Sequence, residues 1–87
     1  MFSAILTITA NQPYTQNQIR SVLLKSKFVH QTNSIRMTTK TRFFGFSRYY
    51  VFTCVVIASG SGAQISADVS YLLRVNRFNA SVQITTI

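Results

Sequence analysis

Phe2, Ala4, Leu6, Ile8 and Ala10 alternate with Ser3, Thr7 and Thr9, interrupted only by Ile5, and far along the chain Ala80, Val82 and Ile84 alternate with Ser81, Gln83 and Thr85. A period of two sends successive side chains to opposite faces of an extended backbone, so both stretches read as half-buried β-strands. A third stretch, beginning at Ser34, keeps the same period. It sets Ile35, Met37, Thr39, Thr41 and Phe43 on one side and Arg36, Thr38, Lys40 and Arg42 on the other, which predicts a strand with a basic face. Strands of this kind need a sheet with one covered face.

The cover is predicted after the first strand. Asn11-Gln12-Pro13 ends that strand, because Pro13 supplies no ladder donor. Thr15 with Gln18 three residues on forms a capping box, and Tyr14 and Ile19 hold the hydrophobic-staple positions around it. Ile19, Val22, Leu23 and the small Ser26 share one face, flanked by Arg20, Lys25 and Lys27. The expected helix runs from about Thr15 to about Lys27, with a narrow stripe suited to docking on a sheet. Phe44-Gly45-Phe46-Ser47 is expected to be a turn. Tyr49 to Ile57, rich in β-branched and aromatic residues, then reads as a well-buried central strand completing a hairpin. Ser59-Gly60-Ser61-Gly62 breaks that run.

Residues 63–78 fit two templates. A helix brings Ile65, Val69, Leu72 and Leu73 together, with Ser61 and Gln64 as its capping box. A strand puts Ile65, Ala67, Val69, Tyr71, Leu73 and Val75 inward and misplaces only Leu72, and Ser66, Asp68, Ser70 and Asn76 are mediocre helix formers. The strand is the preferred reading, with Asn76–Asn79 as the turn into the last strand. The expected fold is therefore α+β: a single antiparallel sheet of about five strands in the order β-α-β-β-β-β, with one helix packed on one face. If residues 63–78 are helical instead, the order becomes β-α-β-β-α-β, the ferredoxin-like arrangement.

At 87 residues, one small domain spanning residues 1–87 is expected. The 47% apolar content argues against disorder. Asp68 is the only acidic side chain, His30 the only imidazole and Cys54 the only thiol. No paired-carboxylate site, metal cluster or intrachain disulfide can be assembled from that inventory, so neither enzyme activity nor a cofactor is expected. Cys54 lies inside an apolar run, where a thiol is usually packing. Gly60-Ser61-Gly62 after Val55-Val56-Ile57 resembles the start of a dinucleotide-binding turn, but Ile65 stands at the third glycine position and no acid follows about 20 positions on. A hairpin turn is expected there, and no small-molecule substrate.

Nine Lys and Arg against one acid give a formal charge of +8. Such a chain cannot neutralise itself, and it attracts polyanions over a Debye length of about 8 Å at physiological salt. Arg20, Lys25, Lys27, Arg36, Lys40, Arg42 and Arg48 fall in one contiguous third of the sequence. Along one strand face, successive charges lie roughly 6.5 Å apart per two residues, comparable to the phosphate repeat of a single strand. Phe44, Phe46, Tyr49 and Tyr50 nearby offer rings for stacking. Ser3, Thr7, Thr9, Thr38, Ser66, Ser70, Ser81, Gln83 and Thr85 make the expected outer face rich in hydroxyls and amides, groups that bond phosphate and sugar without reading bases.

The expected function is therefore binding of single-stranded DNA or RNA through backbone phosphates, without strong sequence specificity. Arg36, Lys40, Arg42 and Arg48 are the main phosphate partners, Arg20, Lys25 and Lys27 a second patch, and Tyr49 and Tyr50 candidate platforms. The competing reading is a structural or interaction protein: a homo-oligomer or virion-type subunit, or an inhibitor docking its basic surface on an acidic protein. Met1-Phe2-Ser3-Ala4 lacks the basic opening of a secretory signal, and the apolar run 49–58 is too short to span a bilayer. These features set an expectation of an intracellular protein, cytoplasmic or virion-associated, with mitochondrial import as the alternative suggested by the acid-poor first forty-two residues.

Overall fold

A computed structural model describes residues 1–42, 45 and 47–87. The elements run β1 (Phe2–Ala10), α1 (Gln16–Leu23), β2 (Val29–Thr32), β3 (Arg36–Arg42), β4 (Ser47–Ala58), α2 (Gly62–Val75) and β5 (Ala80–Thr86). The five strands form one antiparallel sheet, and with the two helices the fold is α+β. The expected inward position of Phe43, the turn at residues 44–47 as far as it rests on Phe44 and Phe46, and stacking by those two rings lie outside the described residues.

The sheet order is β2-β4-β1-β5, with β3 also paired to β4. β2 pairs with residues 56–58 of β4 and β3 with residues 47–53, so the two share one edge of that strand. Residues 33–35 interrupt it, and the Asn33 amide donates to the Val55 carbonyl across the gap at 2.9 Å. Counting β2 and β3 as one interrupted strand, the order is β-α-β-β-α-β, the ferredoxin-like alternative.

Residues 62–75 form a helix, which corrects the expected strand. Ser61 accepts from the Gln64 amide while the Gln64 side chain accepts from the Ser61 amide, closing the capping box. Ile65, Val69 and Leu73 are fully buried along one helix face, and Leu72 packs half-buried beside them. Tyr71 and Val75, which a strand would turn inward, are 58% and 50% exposed. Each buried aliphatic side chain is worth about 1.5–3 kcal/mol, so the helix satisfies the burial that matters. The glycine pair is correspondingly a strand-to-helix turn, not a hairpin turn: Gly60 has φ +86° and Ser61 caps α2.

Thr15 caps α1 through its expected box with Gln18, and Ile19, Val22 and Leu23 are buried. The helix ends at Leu23, four residues before the expected end at Lys27, because the chain tightens into bonds from Lys25 to Val22 and from Ser26 to Leu23. Ser26 is turned inward, 4% exposed. Tyr14, the expected staple residue, packs against the core and stacks on Phe78, with ring centroids 4.5 Å apart.

Both helices pack on the same side of the sheet, against Ala4, Leu6, Ile8 and Ala10 of β1 and Phe52, Cys54, Val56 and Ala58 of β4. The register aligns these rows across the central pair, with Leu6 opposite Cys54 and Ile8 opposite Phe52. Among the described residues, no helix or loop packs over the other face. The expected central strand β4 is central, but its odd-numbered residues Val51, Val55 and Ile57 are half-buried and Thr53 is exposed.

Candidate nucleic-acid interface

The open face follows from the register. β1 contributes Ser3, Ile5, Thr7 and Thr9. Their partners are Ile57, Val55, Thr53 and Val51 on β4, and Thr7 and Thr9 also meet Gln83 and Ser81 on β5. β3 extends it: Arg36 lies opposite Thr53, Thr38 opposite Val51, Lys40 opposite Tyr49 and Arg42 opposite Ser47. Alternation therefore lines Arg36, Lys40 and Arg42 along the edge of an uncovered surface made of hydroxyls, one amide and a short aliphatic strip. All three cations are exposed. Ser3, Thr7, Thr9, Thr38, Ser81, Gln83 and Thr85 lie on this face, whereas Ser66 and Ser70 lie on α2, because residues 62–75 are helical.

The hairpin of β3 and β4 overhangs the rest of the sheet. β1 ends at Ala10 opposite Tyr50, while β3 and β4 go on pairing to Arg42 and Ser47. Tyr49 is thus on the open face just past the last β1 pair. The Arg42 guanidinium lies over its ring, with Cζ 4.0 Å from the centroid. Thr9, Asn11, Asn79 and Ser81 close a hollow of about 240 Å³ around this pair. A second hollow, about 550 Å³, opens at the gap between β2 and β3, where Arg36 stands with Asn33, Ser34, Thr53, Ile5 and Val55.

Two other expected site residues fall on the opposite face of the hairpin. Arg48 is exposed there, opposite Thr41, and Tyr50 is half-buried against the core. Alternation along β4 places them so, and which tyrosine faces outward depends on a register that the sequence does not state. The α1 group lies in the helix layer. Lys25 donates to Asn76 Oδ1 at 2.9 Å, Lys27 sits 5.3 Å from the Phe28 ring centroid, and Arg20 is half-buried with its Nε lacking a hydrogen-bond partner. The structure thus brings together Arg36, Lys40, Arg42 and Tyr49, and separates them from Arg20, Lys25 and Lys27. Sequence reasoning left Asn11, Asn33 and Asn79 out of the candidate site; their only signal was their position at strand ends.

The Cys54 thiol is buried, and burial pushes its pKa from 9.0 up to about 11, with the Arg20 charge pulling the other way. Among the described residues, no group of three or more His, Cys, Asp or Glu side chains is placed to hold a metal ion. No helix among them is long and apolar enough to cross a membrane. No family model and no curated protein matches the chain.

Proposed function

We propose that this chain is a small basic protein that binds single-stranded nucleic acid on the open face of its sheet, mainly through backbone phosphates and without strong sequence specificity. The observation that carries the reading is the row Arg36, Lys40 and Arg42 on a sheet face that no helix among the described residues covers. The sole acidic side chain, Asp68, is on α2 in the helix layer and accepts from Ser26. It does nothing to neutralise that row. The row therefore presents unopposed charges roughly 13 Å apart from Arg36 to Lys40 and roughly 6.5 Å apart from Lys40 to Arg42, beside hydroxyls able to bond phosphate and sugar. The aliphatic strip of Ile5, Val51, Val55 and Ile57 gives apolar contact of the kind that marks an interaction surface.

Titration of a labelled oligonucleotide at several salt concentrations tests this. Phosphate contacts by Arg36, Lys40 and Arg42, the three cations on the open face, predict a log-log slope near −2 for a single strand. A flat response overturns the reading.

One observation favours the second reading, a homo-oligomeric or virion-type subunit. Among the described residues β5 pairs only with β1, and its seven residues carry no charge and no proline, so its outer edge lacks the usual guards against pairing with another chain. Sedimentation of the protein freed of nucleic acid separates the two: a closed assembly without absorbance at 260 nm favours the subunit, and co-purifying nucleic acid released by high salt favours the binder.

A further inference from the structure

We propose that the hollow beyond the end of β1 is a seat for one nucleobase, with the Tyr49 ring as its stacking face and the Arg42 guanidinium as a placeholder that yields that face on binding. The inference rests on the nucleic-acid reading and assigns it a specific subsite.

The Arg42 guanidinium is a planar group 4.0 Å from the Tyr49 centroid. It occupies the position that a stacked base would take. The remaining walls are Thr9, Asn11, Asn79 and Ser81, whose hydroxyls and amides both donate and accept. Such a rim meets the edge of any base without selecting one. At about 240 Å³ the hollow is smaller than the roughly 300–1,000 Å³ of drug-sized ligand pockets, and suits a single planar ring system. An aromatic face, a ring of two-way hydrogen-bonding groups and an adjacent cation together match a nucleotide: base, edge and phosphate.

The exchange runs downhill. An exposed cation–π contact is worth less than a base stacked on an aromatic side chain. The displaced guanidinium also gains a phosphate, which its fork binds in bidentate fashion. From Arg42, Lys40 and Arg36 continue along β3 to the larger hollow, about 20 Å away at the rise of a strand. The bound strand is accordingly expected to lie along β3, with one base at Tyr49 and the following phosphates on the basic row.

The test is a short single strand carrying 2-aminopurine, titrated into the full chain and its variants at fixed salt. Binding is expected to quench the probe in the wild type and in Tyr49→Phe, which keeps the ring. In Tyr49→Leu, which keeps apolar bulk on β4, the quench is lost and affinity falls about 5- to 150-fold with the salt slope unchanged. Arg42→Ala is expected to keep the quench while the slope loses about 0.7. Far-UV circular dichroism confirms that each variant is folded. If Tyr49→Leu binds and quenches as the wild type does while the salt slope stands near −2, the base seat is overturned and the phosphate reading survives. If the wild type shows no salt-dependent binding, both fall.

Discussion

Ser26 Oγ donates a 2.5 Å hydrogen bond to Asp68 Oδ2, tying the only acidic side chain in the protein to a neutral hydroxyl on the loop after α1. The same oxygen accepts from the Phe28 amide at 3.2 Å. One buried hydroxyl thus holds the turn leaving α1 against the middle of α2. Ser26→Ala strands a carboxylate oxygen and an amide, and is expected to cost about 1–3 kcal/mol. For a domain of this size each kcal/mol lowers Tm by about 4–8 °C. A thermal melt unchanged within about 2 °C, half the smallest expected shift, would contradict the role.

Gly60 and Gly62 flank the α2 cap but differ in what a methyl group would meet. At Gly60 a Cβ falls 2.8 Å from Gln64 Oε1 and 2.9 Å from the Phe28 ring, on a backbone with φ +86°. At Gly62 the nearest atom is 3.5 Å away, in ordinary contact with Ile84. Gly60→Ala is expected to destabilise by more than about 1 kcal/mol, because it strains the backbone and displaces the capping glutamine. Gly62→Ala is expected to be neutral or to stabilise by about 0.4–1 kcal/mol through reduced unfolded-state freedom. Urea unfolding of the two variants checks the contrast, and equal effects would refute it.

Cys54 gives a pH-dependent prediction. Burial raises its thiol from 9.0 to about 11 in the folded protein. The unfolded chain therefore loses this proton first as pH rises, and the contribution to stability is complete below pH 9 and is lost between about 9 and 11. The difference in stability between wild type and Cys54→Ala should narrow or reverse over that window. At about neutral pH, well below the ordinary thiol range, a thiol reagent should label Cys54 only after denaturant is added. Rapid labelling of the native protein would show that the thiol is not buried.

Anion binding to the basic row should stabilise the fold by mass action. Phosphate or sulfate is expected to raise Tm more than chloride at matched ionic strength, and the excess should vanish in the variant Arg36→Gln/Lys40→Gln/Arg42→Gln. Equal shifts with all three salts in the wild type would argue against an anion site.

How far the fold could be read from the sequence depended on whether a pattern had one interpretation. β1, β5 and β3 are legible because their alternation, broken in β1 only by Ile5, fits only an extended chain facing one layer, and the start of α1 because its capping box is local chemistry. α2 was misread for a physical reason. Ile65, Val69 and Leu73 are spaced by four, which is both twice the strand period and close to one helical turn. Only Leu72, which the helix alone turns toward the core, and the Ser61–Gln64 box separate the cases. β2 carries four residues of which Val29 alone is buried, too little apolar pattern to register. The basic row could be read from β3 itself, whereas the choice between Tyr49 and Tyr50 needed the pairing of β4 with β1. The grouping of Arg20, Lys25 and Lys27 with the row reflected nearness in sequence, which α1 undoes by carrying them to the covered side.

The most direct measurement compares the salt dependence of oligonucleotide binding in three proteins: wild type, Arg36→Gln/Lys40→Gln/Arg42→Gln, and Lys25→Gln/Lys27→Gln. The predicted slopes are near −2 for the wild type, near 0 for the open-face variant, and near −2 again for the helix-layer variant. Equal slopes for the wild type and the open-face variant, or a larger loss in the helix-layer variant, would contradict an interface on the uncovered side of the sheet.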